Sequence, residues 1–434
     1  MMPNLMSLPV DILINILKKL KISELRNVML TCKAFRNLIV NDNTIWRSVC
    51  RDRLILNNPR DNSGSPKLSL FNRCRISQNW CNGYYRSKEV IHHYTNYMPW
   101  LIFHNSEALV LSVGSELYCY PTYKNGLPNS RNILWTLDVP KLKRNDVRTN
   151  DISRFVIKDN LLACGNRDGC VAVYQFHDIY TKPRLISHIK DCHQGGQLEV
   201  SAVELIKTPC GSTVVTGSNN SPNLMLCHMM MDDEENANEL STTLNYFNIA
   251  THLPAYEDTG IRSLSANLGM DKLAIGLNGN SKPLLLDVNN SELLMKSAAT
   301  RDAKQEVRDI QWHTENTIAY VTHSGMLQLI DIRSNEVVYN VRDPFLSTLY
   351  CVKSDGEHAI MVGSAEYSRC VLFDTRNQVH HVQMYFTRKR TSPVYSLHFD
   401  ATKLITAVDR GVTVLNFNID PKTVHKRDYS DVFF

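Results

Sequence analysis

Hydrophobic positions along the chain follow two successive rhythms. In the first fifty residues they recur at helical spacing: Leu13, Ile16, Leu17 and Leu20 fall at i, i+3, i+4 and i+7 and share one face of a helix whose first turn suits Pro9. A second stripe, Leu25, Val28, Met29 and Cys32, predicts a helix opening after Ser23 as N-cap. Phe35, Leu38 and Ile39 continue the apolar pattern, and Ile45, Trp46 and Val49 lie on a further helix beyond the polar turn Asn41-Asp42-Asn43. Four short helices in about fifty positions cannot bury all these large side chains among themselves, so part of that surface wants a partner. Turn formers from Asn57 to Pro66 then read as a loop, and Leu68 to Trp80 regain helical character. From 84 to 419 the rhythm changes: short β-rich runs alternate with Gly, Asn, Asp and Ser turns, and helical periodicity disappears.

The β-rich part repeats. The small or polar residue closing the second strand of each unit falls at Ser112, Gly165, Gly217, Gly276, Thr322, Gly363 and Ala407, at intervals of 53, 52, 59, 46, 41 and 44 residues. Seven units of about four strands, with a period near ~40 to 45 stretched by insertions, predict an all-β seven-bladed propeller of WD-repeat type. No blade buries both faces alone, so the ring must close, and little follows Phe417 except a polar tail. The segment of about 84–94 is therefore expected to supply the outer strand of the last blade. The expected organisation is a helical module over 5–53, a linker with a helical junction over 54–83, the propeller over 84–420 and a polar tail over 421–434.

Composition narrows the function classes. Of 434 residues, 43% are hydrophobic and 21% charged, as in ordinary folded proteins, which excludes wholesale disorder. Lys+Arg at 48 against Asp+Glu at 43 leave +5, too little to argue nucleic acid or an anionic membrane as partner from overall charge. No apolar run approaches ~18 residues and no secretory leader is evident, so an intracellular protein, cytoplasmic or nuclear, is expected, its thiols reduced and mostly buried. The twelve cysteines show no paired ligand spacing, and His92-His93 and His380-His381 are adjacent residues whose side chains diverge on a strand, so neither a metal nor another cofactor is expected. The acidic run Asp232 to Glu235 and the basic run Arg388 to Arg390 read as solvated loops. No nucleophile elbow, phosphate loop or metal-binding helix is present, so no catalytic residue is assigned and the chain is not expected to be an enzyme.

Leu8-Pro9-Val10-Asp11-Ile12-Leu13, Ile16-Leu17, Leu20, Glu24-Leu25, Thr31 to Phe35 and Ile45-Trp46-Arg47 resemble an F-box in order and spacing. Asn79-Trp80 with Gly83 resembles the junction that F-box/WD-repeat proteins place before the propeller. The divergent propeller, with no Trp-Asp ending, Asp287, Asp331 and Asp374 in the terminal Asp position and Tyr174 where Trp usually stands, is similar to the dactylin branch of that family. The resemblance implies a substrate receptor of an SCF-type ubiquitin ligase, docking a Skp-type adaptor and through it a cullin-RING ligase. It carries over Leu8, Pro9, Leu13, Ile16, Leu17, Leu20, Leu25, Phe35 and Trp46 as adaptor-binding positions. The alternative is a WD-repeat scaffold that binds the adaptor without delivering a degraded substrate.

Arg262 and Arg308 begin the innermost strands of neighbouring blades, and Tyr395 holds the same place in Val394-Tyr395-Ser396-Leu397. Two guanidinium groups at one channel rim can converge on one anion, because each planar fork donates paired hydrogen bonds. The resemblance implies a phosphorylated protein segment as their ligand, although the family's further arginine is represented only by Arg167, in a distant blade. The structural alternative is that Arg262 and Arg308 pair with Asp258, Glu306 or Asp309 and tie blades together.

Overall fold

The computed structural model describes the chain except for residues 1–4, 52, 59–67, 94–97, 105–106, 147–148, 209–210, 231–240, 296–304, 387–390 and 425–434. Both charged runs and most of the Asn57 to Pro66 loop lie outside the described residues. The helical module consists of α1 (Val10–Leu17), α2 (Ile22–Thr31), α3 (Lys33–Asn41) and α4 (Asn43–Val49), followed by α5 (Leu70–Cys81). Two helix boundaries differ from the sequence reading. Helix α1 ends at Leu17, so Leu20 sits in the following turn, with its N–H bonded to Leu17 O. Helix α2 is capped at Lys21 rather than Ser23, because Glu24 reaches back to accept the Lys21 N–H at 2.7 Å.

Leu17, Leu25, Ile39, Ile45, Trp46 and Cys50 pack with Cys74 of α5 into one core, and Leu70 and Phe71 lie against it. Trp46 anchors that core: its indole N–H donates to Ile39 O at 2.6 Å and its ring meets Phe71 at 5.0 Å. The expectation that every thiol is free is corrected at one place. Helices α4 and α5 bring Cys50 and Cys74 to a Cα separation of 6.6 Å, and the two are joined as a disulfide. Seven of the other described cysteines are buried, Cys32 is exposed and Cys81 half-buried.

The described strands form seven four-stranded antiparallel sheets, the blades of a propeller. Blades 1 to 6 span 101–138, 152–189, 202–248, 261–295, 307–342 and 349–385; blade 7 joins three strands within 396–416 to Arg86–His92, which pairs along Gly411–Asn416 as its outer strand. Apolar cores fill each seam between successive blades. This seam packing explains the repeated small residue. A Cβ on Gly165 would lie 2.5 Å from both Val200 Cγ1 and Val203 Cγ2, and one on Gly217 would lie 2.4 Å from Ile261 Cγ2. Each glycine therefore lets the inner strand of the next blade close onto the second strand of its own.

Helix α5 and residues 54–58 are built into the seam between blades 6 and 7. Trp80 stacks on Phe417 with ring centroids 3.5 Å apart and donates to Ala401 O at 3.0 Å, while the Asn79 amide donates to Phe417 O at 2.8 Å and Ile419 O at 3.0 Å. Gly83, at φ +66°, ends the helix in the left-handed region that glycine adopts without strain. Asn57 N–H and Asn58 Oδ1 bond to Asp355 and Ala401 in the turns that follow the inner strands of these blades. One core thus runs from α5 into the propeller, and it fixes the helical module to the face where inner strands end. The face where they begin lies a strand length away, about 20 Å for six residues.

Candidate functional site

Two surfaces stand out, one on each part of the chain. On the helical module the helix periodicity divides the apolar residues by face. Leu13 and Leu17 are each 3% exposed, and Leu25, Phe35 and Trp46 are buried with them. These five expected contact positions are turned inward, and Leu17, Leu25 and Trp46 belong to the module's own core, since the stripe that faces inward must hold four short helices together. Ile12 and Ile16 are 47% and 40% exposed, and Leu5, Leu8, Val10 and Leu30 are exposed as well. Pro9 is exposed and Leu20 half-buried. The structure therefore separates the nine expected residues into an accessible set of Leu8, Pro9 and Ile16, flanked by Val10 and Ile12, a buried supporting set of Leu13, Leu17, Leu25, Phe35 and Trp46, and Leu20 between the two.

On the propeller, residues at the start of each inner strand form a ring around the channel mouth. Blades 1 to 7 contribute Trp100, Ser153, Ser201, Arg262, Arg308, Tyr350 and Tyr395, and all seven line one depression. In four blades the pairing with the second strand skips this residue: the register shifts across Ser153, Arg262, Arg308 and Tyr350. A bulge of this kind re-aims the side chain out of the sheet, here toward the mouth. The ring is divided by chemistry, with aromatic residues from blades 6, 7 and 1, hydroxyls from blades 2 and 3, and guanidinium groups from blades 4 and 5.

Arg262 and Arg308 do converge, and what they converge on is Glu306. Arg262 Nε lies 2.9 Å from Glu306 Oε1 and Arg308 Nε 3.3 Å from Oε2. Burial lowers the Arg262 pKa, with the Glu306 carboxylate opposing that effect. Arg308 Nη2 also donates to His323 Nδ1 at 2.9 Å; burial first, then the Arg308 charge, lowers the His323 pKa and keeps that imidazole a neutral acceptor. Of the three carboxylates offered for these arginines, Asp309 instead meets Arg154, at 3.3 Å. Tyr395 packs its ring on Tyr350, with centroids 5.8 Å apart, and its hydroxyl donates to Asp409 at 2.7 Å.

Arg154 was not singled out by the sequence. It extends from the inner strand of blade 2 to Asp309 on that of blade 5, and its guanidinium lies 3.5 Å from the Trp100 ring centre. This strut crosses the channel. Beyond it, toward the face carrying the helical module, lies a cavity of about 870 Å3 bordered by Arg154, Trp100, Phe103, Lys353 and His398. Arg167, distant along the chain, lines the same mouth as Arg262, since a closed ring brings its turn to the shared rim. Its Nη2 lies 3.1 Å from Met98 Sδ, and among the described residues no carboxylate pairs with it. No three described His, Cys, Asp or Glu side chains are arranged to hold a metal, and no described helix is long and apolar enough to cross a membrane.

Taken together, the chain is an N-terminal helical module fixed to a seven-bladed WD-type propeller, and residues 5–52 match the family model described as F-box-like. Over nearly its whole length it is homologous to F-box/WD repeat-containing protein 4: the Homo sapiens protein is 22% identical over 429 residues, covering 96% of this chain and 93% of that protein. The Mus musculus protein of the same name is 22% identical over 424 residues, covering 94% and 92%. Among solved structures, Saccharomyces cerevisiae Sqt1 matches with a TM-score of 0.51 at 15% identity, over 71% of this chain and 81% of that one, a likeness of fold.

Proposed function

We propose that this chain is the substrate-recognition subunit of an SCF-type ubiquitin-protein ligase. The helical module docks a Skp-type adaptor, which links it to a cullin-RING scaffold, and the propeller mouth binds a protein substrate destined for proteasomal degradation. The observation that carries this reading is the exposed apolar strip of Ile12 and Ile16, one turn apart on α1, with Leu8 and Val10 exposed at the start of that helix, within the segment matching the F-box-like model. A module this small leaves such a strip uncovered when a partner covers it. The mechanism is proximity. A module rigidly joined to the propeller holds substrate lysines at a high local concentration beside a charged ubiquitin carrier, without chemistry by this chain.

Co-purification of the full chain with a Skp-type adaptor tests the docking half. Ile12→Asp combined with Ile16→Asp places two charges in the strip and should weaken adaptor binding about 100-fold or more, as loss of central interface anchors does. Because both side chains are solvent-exposed, the thermal unfolding midpoint should stay close to wild type. Undiminished adaptor binding would refute the assignment. Measuring the half-lives of captured proteins after depletion of this chain separates a receptor, whose substrates lengthen in half-life, from a scaffold, whose partners do not.

A further inference from the structure

The division of the mouth ring indicates what kind of segment it reads. Three consecutive blades contribute Tyr350, Tyr395 and Trp100, an aromatic crescent that occupies nearly half the ring. Blade 6 adds further apolar surface, since the loop before its inner strand exposes Phe345 at 41% and Leu346 at 61%. That loop is held in place. Asp343 at its base accepts two hydrogen bonds from Arg369, at 2.7 and 2.6 Å, and both members of the pair are fully buried. The Arg369 guanidinium also lies 4.6 Å from the Phe345 ring centre, and Leu346 is kept at φ +59°, a conformation unfavourable for leucine. A buried ion pair thus maintains a strained loop that turns apolar side chains toward solvent.

The cationic side of the ring has little unspent charge. Glu306 already meets both Arg262 and Arg308, and Asp309 meets Arg154. Arg167 is the guanidinium at the mouth with no carboxylate partner among the described residues, and its contact to the Met98 thioether is a weak one that a carboxylate displaces. A doubly charged group would have to compete with Glu306 for its arginines. A single carboxylate meets Arg167 without disturbing an existing pair.

We propose that the mouth recognises an unphosphorylated segment of a partner protein in which a bulky aromatic or aliphatic residue lies close to one carboxylate, the apolar residue seated in the Tyr350–Tyr395–Trp100 crescent and the carboxylate on Arg167. This rests on the substrate-receptor reading for its biological use, but binding of the segment requires no adaptor. Peptide recognition and adaptor docking can therefore fail separately.

The test uses the purified full chain and four fluorescein-labelled pools of degenerate nine-residue peptides. One fixes Phe at the centre with Glu two residues on; the others replace Phe with Ala, Glu with Lys, or Glu with phosphoserine. The Phe/Glu pool should bind, the Ala pool about 30-fold more weakly, and the Lys pool about 10-fold more weakly. The phosphoserine pool should gain no more than about threefold. Tyr350→Ala should weaken the Phe/Glu pool about 30-fold, and Arg167→Ala should abolish its preference for Glu over Lys. Glu306→Gln, which releases two guanidinium groups, should raise affinity for the phosphoserine pool at least tenfold and leave the Phe/Glu pool within about threefold. Equal binding of the Phe and Ala pools, wild-type preference for phosphoserine by tenfold or more, or no pool bound more tightly by wild type than by Tyr350→Ala would each overturn the proposal.

Discussion

Blade seams make a quantitative claim about Gly217. An added Cβ would lie 2.4 Å from Ile261 Cγ2 and 2.7 Å from Ile261 Cβ, both inside van der Waals contact, and Ile261 is fully buried. Gly217→Ala should therefore destabilise the protein by about 1–3 kcal/mol, the usual cost of overpacking a close-packed interior. Ile261→Ala alone empties the same spot and should cost about 2–5 kcal/mol. In the double variant the methyl at 217 enters space that the Ile261 side chain has left, with only the Cβ contact to relieve by a small shift. Its cost should fall short of the sum of the single costs by on the order of 1–2 kcal/mol. Urea unfolding followed by tryptophan fluorescence gives the three midpoints, comparable as free energies where the slopes agree. If the double variant costs the sum of the two singles to within about 0.5 kcal/mol, the residues do not compete for one space, and the seam account of the repeated glycine is wrong.

Two further outcomes follow from other parts of the fold. Asn79→Asp replaces a buried amide donor with an acceptor facing the Phe417 and Ile419 carbonyls, and should cost roughly 2–4 kcal/mol through lost bonds and unpaired buried groups; hydrogen exchange should quicken across α5 and residues 417–419, and unchanged protection there would contradict the rigid junction. Burial lowers His193 from 6.5 to about 4, and its Nε2 sits 3.0 Å from Thr216 Oγ1. Because the unfolded chain takes up that proton near pH 6.5 and the folded chain only near pH 4, the stability tied to His193 is complete above about 6.5 and is lost as pH falls toward 4, on the order of 3 kcal/mol in all. His193→Gln should flatten the decline in unfolding midpoint between pH 7 and pH 4.5, and parallel curves for the two proteins would count against this role.

The propeller was legible because its signals are local and repeated. Each second strand announces itself by an apolar run ending in a small or polar residue, and in the four blades where that residue is glycine the approach of the next blade leaves no room for a Cβ. Helix existence in the N-terminal module was equally plain from spacing, whereas its boundaries were not. The Lys21 cap depends on a Glu24 carboxylate folding back, and Ser23 looked the better candidate by residue type alone. Spacing also failed to separate Leu13 and Leu17 from Ile16. One stripe on a helix says which residues share a face, and the structure is needed to say whether that face turns to the module's own core or to solvent. The Cys50–Cys74 pairing had no sequence signal, since it arises from the crossing of α4 and α5 across a long loop.

The mouth shows a deeper reason for the limit. Arg262 and Arg308 were visible because they occupy the same phase as Tyr395 at the start of an inner strand, and extending that phase to every blade yields Trp100, Ser153, Ser201 and Tyr350. The ring was therefore available in the sequence to anyone who aligned inner strands rather than second strands. Arg154 was not, because it lies one residue later, in the phase occupied by Ser263, Asp309 and Cys351 in other blades, and only a side chain as long as arginine crosses the channel from there. Charge neutralisation was hidden for a related reason. Glu306 sits two residues before Arg308, in a phase held by Met98, Asp151, Glu199, Gly260, Thr348 and Pro393 in the other blades, so the phase itself predicts no charge, yet this side chain decides whether two guanidinium groups are open to a ligand or already paired. In a ring built of repeats, alignment finds the residues that every blade contributes. The charge open to a ligand is set by which side chain each blade places in a phase and by the pairs those side chains form between blades, and the pairs are found only once the ring has closed.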